Sequence, residues 1–441
     1  MAYAIFWGCH IPARFPHLEH SMKAVLNALG IQYAESNRFS CCPENFGVKS
    51  LGHEAWLMTA GRNLAVAESL GLDITTACNG CYSSLKSAWT EFRSDPFAVE
   101  RLNDEIAEFG LQYRGTIEVK HFLEMLYDDI TPAGVRRRVK RSMRGLKLAA
   151  HPGCHFLRPS THLRFDDPFI AKKFDELIGA TGAESIKYET KFLCCGGSFN
   201  YAGDEDLSLA AVRAKLKELT ALAADAIITG CPTCYSQFDM GQLLLSRAGE
   251  KFSLPVLYYT ELLGLALCLS PEALALDRHR IPVDSMISKL KQKEAELEPV
   301  KGIIDLEMMR QCVACGACKD DCPAIKISNE AWNPYEIFSK ILAGRLDEVL
   351  SSEQLWKCLD CYTCMELCGQ GIGMNRFFRQ LRELALARDI APESVKAAID
   401  AFKKTGMLAK PSASTRKKLG LSELKNAGDE ELRKLLSKLG K

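Results

Sequence analysis

Ten of the nineteen cysteines fall into one pattern that is written twice. The first copy is Cys9, then Cys41-Cys42, then Cys78-x-x-Cys81; the second is Cys154, then Cys194-Cys195, then Cys231-x-x-Cys234. From the paired cysteines to the closing C-x-x-C the step is 37 residues in both copies. Five thiolates per copy are more than a zinc ion or one cubane cluster can use. Two such sets in one chain point to two unusual iron–sulfur centres facing one another, an arrangement for an active site rather than a wire. The competing reading, a vicinal disulfide at Cys41-Cys42 or Cys194-Cys195, requires a rare and strained bridge, and duplication in register weighs against it.

A different cysteine text fills the C-terminal third. Cys312-x-x-Cys315-x-x-Cys318-x-x-x-Cys322-Pro323 is a ferredoxin run, and Cys358-x-x-Cys361-x-x-Cys364-x-x-x-Cys368 repeats it with Gly369 in place of Pro. In two-cluster ferredoxins three close thiolates hold one [4Fe–4S] cube and the fourth cysteine crosses to the other. Cys312, Cys315, Cys318 and Cys368 are therefore assigned to one cubane cluster, and Cys358, Cys361, Cys364 and Cys322 to the other. Zinc would favour pairs of ligands separated by a longer gap.

The elements that must hold these ligands repeat with them. Short apolar runs at 3–6 and 147–150 lead into Gly8-Cys9-His10 and Gly153-Cys154-His155. Helical patterns follow at 18–29 and 169–178, then at about 53–70 and 205–223. Runs at 73–77 and 225–229 end in the two C-x-x-C-Tyr motifs, and each copy closes with strand and helix at 117–126 and 255–267. Strands alternating with helices of this length predict parallel α/β units. Chemistry in such sheets gathers at the carboxyl ends of strands, where Cys9, Cys78, Cys154 and Cys231 all fall. A hinge is expected at 131–146, with its basic run Arg136, Arg137, Arg138, Lys140 and Arg141. A linker is expected at 270–300, including a charged helix at 286–298, and beyond about 386 the chain reads as Lys- and Glu-rich, helical or loose.

A chain of 441 residues that is 47% hydrophobic carries two or three domains. A formal charge of +1 gives no electrostatic reason to expect nucleic acid. The longest apolar stretch, near 262–269, is too short to span a bilayer, and a ligand as early as Cys9 leaves no room for a cleaved leader. Reduced thiolates loaded with iron suggest a cytoplasmic, anaerobic setting rather than a disulfide scaffold.

On these motifs, residues 1–270 resemble the B subunit of heterodisulfide reductase, which is built from two cysteine-rich "CCG" domains. Residues at about 300–390 resemble the C subunit of the same enzyme, its two-cluster ferredoxin. The chain looks like a natural B–C fusion. The resemblance implies tandem duplicated α/β domains at 1–145 and 146–285, a mainly α-helical ferredoxin-type domain at 286–390, and a charged tail at 391–441. It also implies that each five-cysteine set holds a non-cubane [4Fe–4S] cluster: Cys9, Cys41, Cys42, Cys78 and Cys81 one, Cys154, Cys194, Cys195, Cys231 and Cys234 the other. The first copy has Pro43 where the motif expects Gly, and Pro donates no N–H, so sulfur hydrogen bonding should differ between copies.

Reducing a disulfide takes two electrons, and clusters give them singly; a disulfide wedged between two clusters can split without releasing a thiyl radical. The reading that follows is the catalytic subunit of a heterodisulfide reductase, which acts on a disulfide of the coenzyme M–coenzyme B type. The alternative is a catalytic or electron-transfer subunit of a related flavin-based bifurcating complex with another acceptor, such as a protein disulfide, a persulfide or an aromatic acyl-CoA. No GxGxxG flavin motif is present, so a flavin-bearing partner resembling the A subunit of that enzyme is expected, with a hydrogenase or formate dehydrogenase module behind it. His10, His155, Arg14, Arg158 and Lys191 are candidate substrate contacts, joined by His151. Tyr82 and Tyr235 read as core, and Cys268 as a buried apolar residue.

Overall fold

The computed structural model describes residues 2–44, 46–295, 298–300, 302–329, 331–408, 412–423 and 429–439. The chain divides into two compact units, Met1–Gln292 and Lys293–Lys441.

The first unit contains two four-stranded sheets, both entirely parallel. β1 (Ala2–Ile5), β2 (Gln32–Ala34), β3 (Asp73–Thr76) and β4 (Val119–His121) lie in the order β2-β1-β3-β4. β5 (Lys147–His151), β6 (Glu184–Ser185), β7 (Ala226–Thr229) and β8 (Val256–Tyr258) repeat that order as β6-β5-β7-β8. The central strands β1, β3, β5 and β7 are buried beyond their first residue, as parallel strands of an α/β sheet are, and every residue of β7 is buried. In each sheet the chain leaves the first strand toward one edge and the third toward the other. This makes a switch point whose crevice opens at the carboxyl ends of β1 and β3, or β5 and β7. The crossover helices bear their signals locally: Pro16–Leu29 starts with Pro and stops at Gly30 in the left-handed conformation.

Both repeats share one hydrophobic core. Helix Pro16–Leu29 of the first packs on Tyr259–Ala266 of the second, with Ser21 Oγ 2.9 Å from Thr260 Oγ1. Several expectations need correcting. The segment 131–146 is no hinge: Lys140 and Arg141 N–H groups both donate to the Ala266 carbonyl, and Val135, Val139 and Met143 are buried. Residues 270–292 are not a loose linker, since Leu274, Leu276, Met286 and Leu290 are buried in the shared core. The charged helix runs Asp284–Ala295, and residues 296 and 297 of the expected stretch lie outside the described ones. Cys268 is exposed at φ 69°, because the helix ends at Ala266 and leaves it in the turn.

The helix expected at 169–178 begins only at Lys173. Asp166 and Asp167 capture the N–H groups of residues 169, 170, 172 and 173, and these turns delay the helix. The second unit is mainly helical, with a core of its own that includes Met309, Phe338, Ile341, Phe377 and Leu381. Of the tail, helices Glu393–Thr405, Ala413–Lys418 and Asp429–Lys438 are described, while 409–411, 424–428, 440 and 441 are outside the described residues.

Candidate metal centres

The ten cysteines of the two repeated sets form one connected network. Cys9 meets Cys41, Cys41 meets Cys42, Cys42 meets Cys81, and Cys81 meets Cys78. In the second repeat Cys154 meets Cys194, Cys194 meets Cys195, Cys195 meets Cys234, and Cys234 meets Cys231. The two chains of thiols meet at Cys78 and Cys231, the residues that follow the third strand of each repeat, and each of these thiols shifts the other's ionisation.

Pseudo-symmetric crossings hold the repeats in this register. His121, ending β4, has Nε2 3.1 Å from the Gly230 carbonyl just before Cys231. Tyr258, ending β8, donates its hydroxyl to the Ala77 carbonyl just before Cys78. Asn79 Nδ2 donates to the Pro152 carbonyl at 2.7 Å. Tyr82 and Tyr235 are buried, as expected, and their hydroxyls reach Leu163 O at 3.2 Å and His17 Nε2 at 3.2 Å. Within the first repeat Asn63 fixes the cysteine pair, donating to Cys41 O at 3.0 Å and accepting from Ser40 N at 2.9 Å.

The donor set fits iron. Cys42 is drawn down to about 6 by hydrogen bonds from Cys41 and Cys81. Cys194 is lowered by Cys154 and then Cys195, and Cys231 by Cys234 and Cys78. Their neighbours Cys9, Cys81, Cys154 and Cys234 are pushed up. Ten sulfurs packed this closely cannot all ionise without added positive charge, which iron supplies when it binds thiolates.

Cys9 is exposed, Cys41, Cys78, Cys154 and Cys194 are half-buried, and the other five are buried, so the network opens on the Cys9 side. There His10 Nε2 lies 2.9 Å from the Tyr201 hydroxyl of the other repeat, with Phe46 beside Tyr201. Arg14, whose charge reaches His10 and Tyr201, lines a basic cleft of about 500 Å³ with His17, His20, Arg278 and Arg280. Arg158 donates to Phe192 O at 3.3 Å, and His155 is half-buried. Lys191 is paired with Asp175 and only 11% exposed, so its charge is already engaged. His151 is fully buried at the end of β5 and faces the thiols instead of an open substrate site: one of its nitrogens and the Cys195 and Cys234 sulfurs lie within 4.8 Å of one another. Tyr201, His121 and Tyr258 were missed in the sequence. The duplicated His121-x-x-Glu124 and Tyr258-x-x-Glu261 capping boxes were a usable signal for two of them.

In the second unit burial pushes the Cys312 thiol up to about 12, and the neighbouring Cys318, Cys368, Cys364 and Cys315 add to the shift. Cys322 lines one small space with Cys358, Cys361 and Cys364, about 20 Å³ in volume. Tyr335 hydroxyl sits 3.3 Å from Cys318 Sγ, and Ile372 N–H donates to Cys368 Sγ at 3.2 Å.

Duplicated parallel sheets with a shared thiol network, followed by a helical eight-cysteine unit, define an iron–sulfur oxidoreductase of the tandem cysteine-rich class. The CCG cysteine-rich domain model matches residues 3–86 and 148–239, and a 4Fe-4S dicluster domain model matches 308–372. The B subunit of a ferredoxin/F(420)H(2)-dependent CoB-CoM heterodisulfide reductase from Methanosarcina acetivorans is 37% identical over 67% of this chain and 98% of its own length. The membrane anchor subunit of 8-methylmenaquinol:fumarate reductase from Wolinella succinogenes is 30% identical over 63% of this chain and 96% of its own. The C-terminal part is similar to the C2 subunit of the H(2)/formate:CoB-CoM heterodisulfide,ferredoxin reductase of Methanococcus maripaludis, 29% identical over 28% of this chain and 68% of that one. A hypothetical protein from Helicobacter pylori shares the fold, with a TM-score of 0.52 and 16% identity over 64% of this chain and 52% of the other. The chain belongs to the family of heterodisulfide reductase B subunits, with a ferredoxin domain like that of the C subunit fused behind it. Among the described residues no helix is long and apolar enough to cross a membrane.

Proposed function

We propose that the chain is the disulfide-reducing subunit of a larger complex, acting on a disulfide of the coenzyme M–coenzyme B type between two non-cubane [4Fe–4S] clusters. The observation that carries this reading is the single network in which Cys78 and Cys231 join two five-cysteine sets. Bound there, two centres would supply one electron each and one iron for each sulfur, the count that a disulfide needs. The chain's own residues do the rest. His121, Tyr258 and Asn79 lock the sets face to face, and His10 with Tyr201 closes the exposed side. Arg14, His155 and Arg158 are the remaining candidates for anionic substrate groups, while Lys191 serves its ion pair.

Cys312, Cys315, Cys318 and Cys368, with Cys358, Cys361, Cys364 and Cys322, hold two cubane clusters that relay electrons. The donor is a flavin-bearing partner resembling the A subunit of heterodisulfide reductase, backed by a hydrogenase or formate dehydrogenase module, in an anaerobic cytoplasm. The repeats run 1–145 and 146–292, the expected boundary at 285 moving to Gln292 because Met286 and Leu290 are buried in the shared core, and the ferredoxin-type domain and the tail follow at 293–390 and 391–441. A second reading, the same unit serving another acceptor in a related bifurcating complex, draws support from the Wolinella relative, whose name pairs a quinol with fumarate.

Anaerobic iron and sulfide analysis tests the assignment, with about sixteen irons expected from four clusters. About eight, with full ferredoxin signals, removes the ten cysteines from iron binding. Turnover of the heterodisulfide with a reduced viologen separates the two readings, since the second predicts none.

A further inference from the structure

The two thiol sets are alike in ligands and unlike in surroundings. His151 ends β5 and is fully buried, and neither ring nitrogen has a hydrogen-bond partner among the described residues. Leaving two buried imidazole nitrogens without partners is costly, and such a group calls for a missing partner. The sulfurs of Cys195 and Cys234 are the ligand atoms beside it. Counting back from Cys9 and Cys154, the equivalent residue in the first repeat is Phe6, also fully buried. Phenylalanine offers a sulfur no N–H.

Two further differences point the same way. Lys215 is fully buried near Cys234 and Cys195 and donates to the Thr190 carbonyl. Its counterpart by the spacing of the cysteine pairs, Arg62, turns outward and donates to Arg38 O at 2.8 Å. Gly196 N–H donates to Cys194 Sγ at 3.4 Å, and Pro43, in the same place after Cys42, has no N–H. Hydrogen bonds to sulfur and nearby positive charge stabilise the more negative, reduced form of an iron–sulfur centre and raise its potential.

We infer that His151 donates a hydrogen bond to a sulfur of the centre held by the second set and, with buried Lys215, makes that centre the easier of the two to reduce. This rests on the reading that both sets hold iron. His151 and Lys215 are then positioning residues that set the order in which the pair fills with electrons, the second repeat before the first.

The test is a redox titration of the intact, anaerobically purified chain followed by paramagnetic resonance, with iron measured on every sample. The second set's signal is identified by its loss in Cys234→Ala. His151→Phe, which copies the first repeat, should lower that signal's midpoint by about 59 mV, a tenfold change in a one-electron equilibrium. Iron content and the other signals should be unchanged. His151→Gln, which keeps an N–H donor, should restore most of the shift, and Phe6→His should raise the first centre. A midpoint unmoved in His151→Phe at full iron content overturns the inference. So does selective loss of iron from the second set in both His151→Phe and His151→Gln, which would make His151 a ligand. Wild-type protein lacking iron in either set instead overturns the underlying reading.

Discussion

Gly8 is part of the first thiol set although it has no side chain. Its φ is +68°, and a Cβ there would lie 2.5 Å from the Cys81 sulfur. Gly8→Ala should therefore displace Cys81 and lose about a quarter of the iron, those of the first set, with ferredoxin signals intact; full iron content would refute this. His279 offers a pH test remote from the ligands. Its Nε2 is 2.9 Å from Glu261 Oε1, both side chains are buried, and His17, Tyr235 and Asp239 face it as well. Burial pulls its pKa down, but the Glu261 carboxylate and then Asp239 outweigh that, so the net shift is upward. A raised folded pKa gives stability that is complete below about pH 6.5 and is lost as pH climbs through the folded value. The anaerobic thermal midpoint should fall as pH rises from about 6 to about 9, and His279→Gln should flatten that slope; an unchanged slope would exclude the pair as its source. The cysteine network was legible because its members recur at a fixed spacing in the chain. The His10–Tyr201 contact was not, since its partners are 191 residues apart and meet only when the repeats pack.

Strand ends are the elements that bring the repeats together. Tyr258 closes β8 and caps the following helix, and its hydroxyl binds the carbonyl before Cys78. Tyr258→Phe should leave that buried carbonyl unsatisfied and cost about 1–3 kcal/mol in denaturant unfolding of the anaerobic protein; a change below about 0.5 kcal/mol would show the crossing to be incidental. The strands were readable from short apolar runs ending at cysteines, and both sheets follow the expected parallel order. The late start at Lys173 was not, because Asp166 and Asp167 compete for the backbone through their side chains while the apolar periodicity runs on through Phe169 and Ile170. The packing of 270–292 was hidden for a related reason. Pro271 and Pro282 mark turns, but nothing local says whether the turns lie on a core.

For the whole molecule, the division at Gln292 places the ten-cysteine network and the ferredoxin-type cysteines in separate compact units. A chain cut after residue 292 should keep disulfide reduction with a viologen donor and lose it with the flavin-bearing partner; continued coupling to that partner would move the docking surface into the repeats. The central claim is that the two five-cysteine sets work as one unit on one disulfide. Its most direct measurement is the viologen-driven reduction rate of Cys81→Ser, Cys234→Ser and the double variant, with iron quantified in each. If the sets act together, either single change abolishes two-electron reduction, and the double is no worse than the singles. If one variant keeps most of the rate with its own set's iron gone, the remaining set suffices and the joined two-centre mechanism is contradicted.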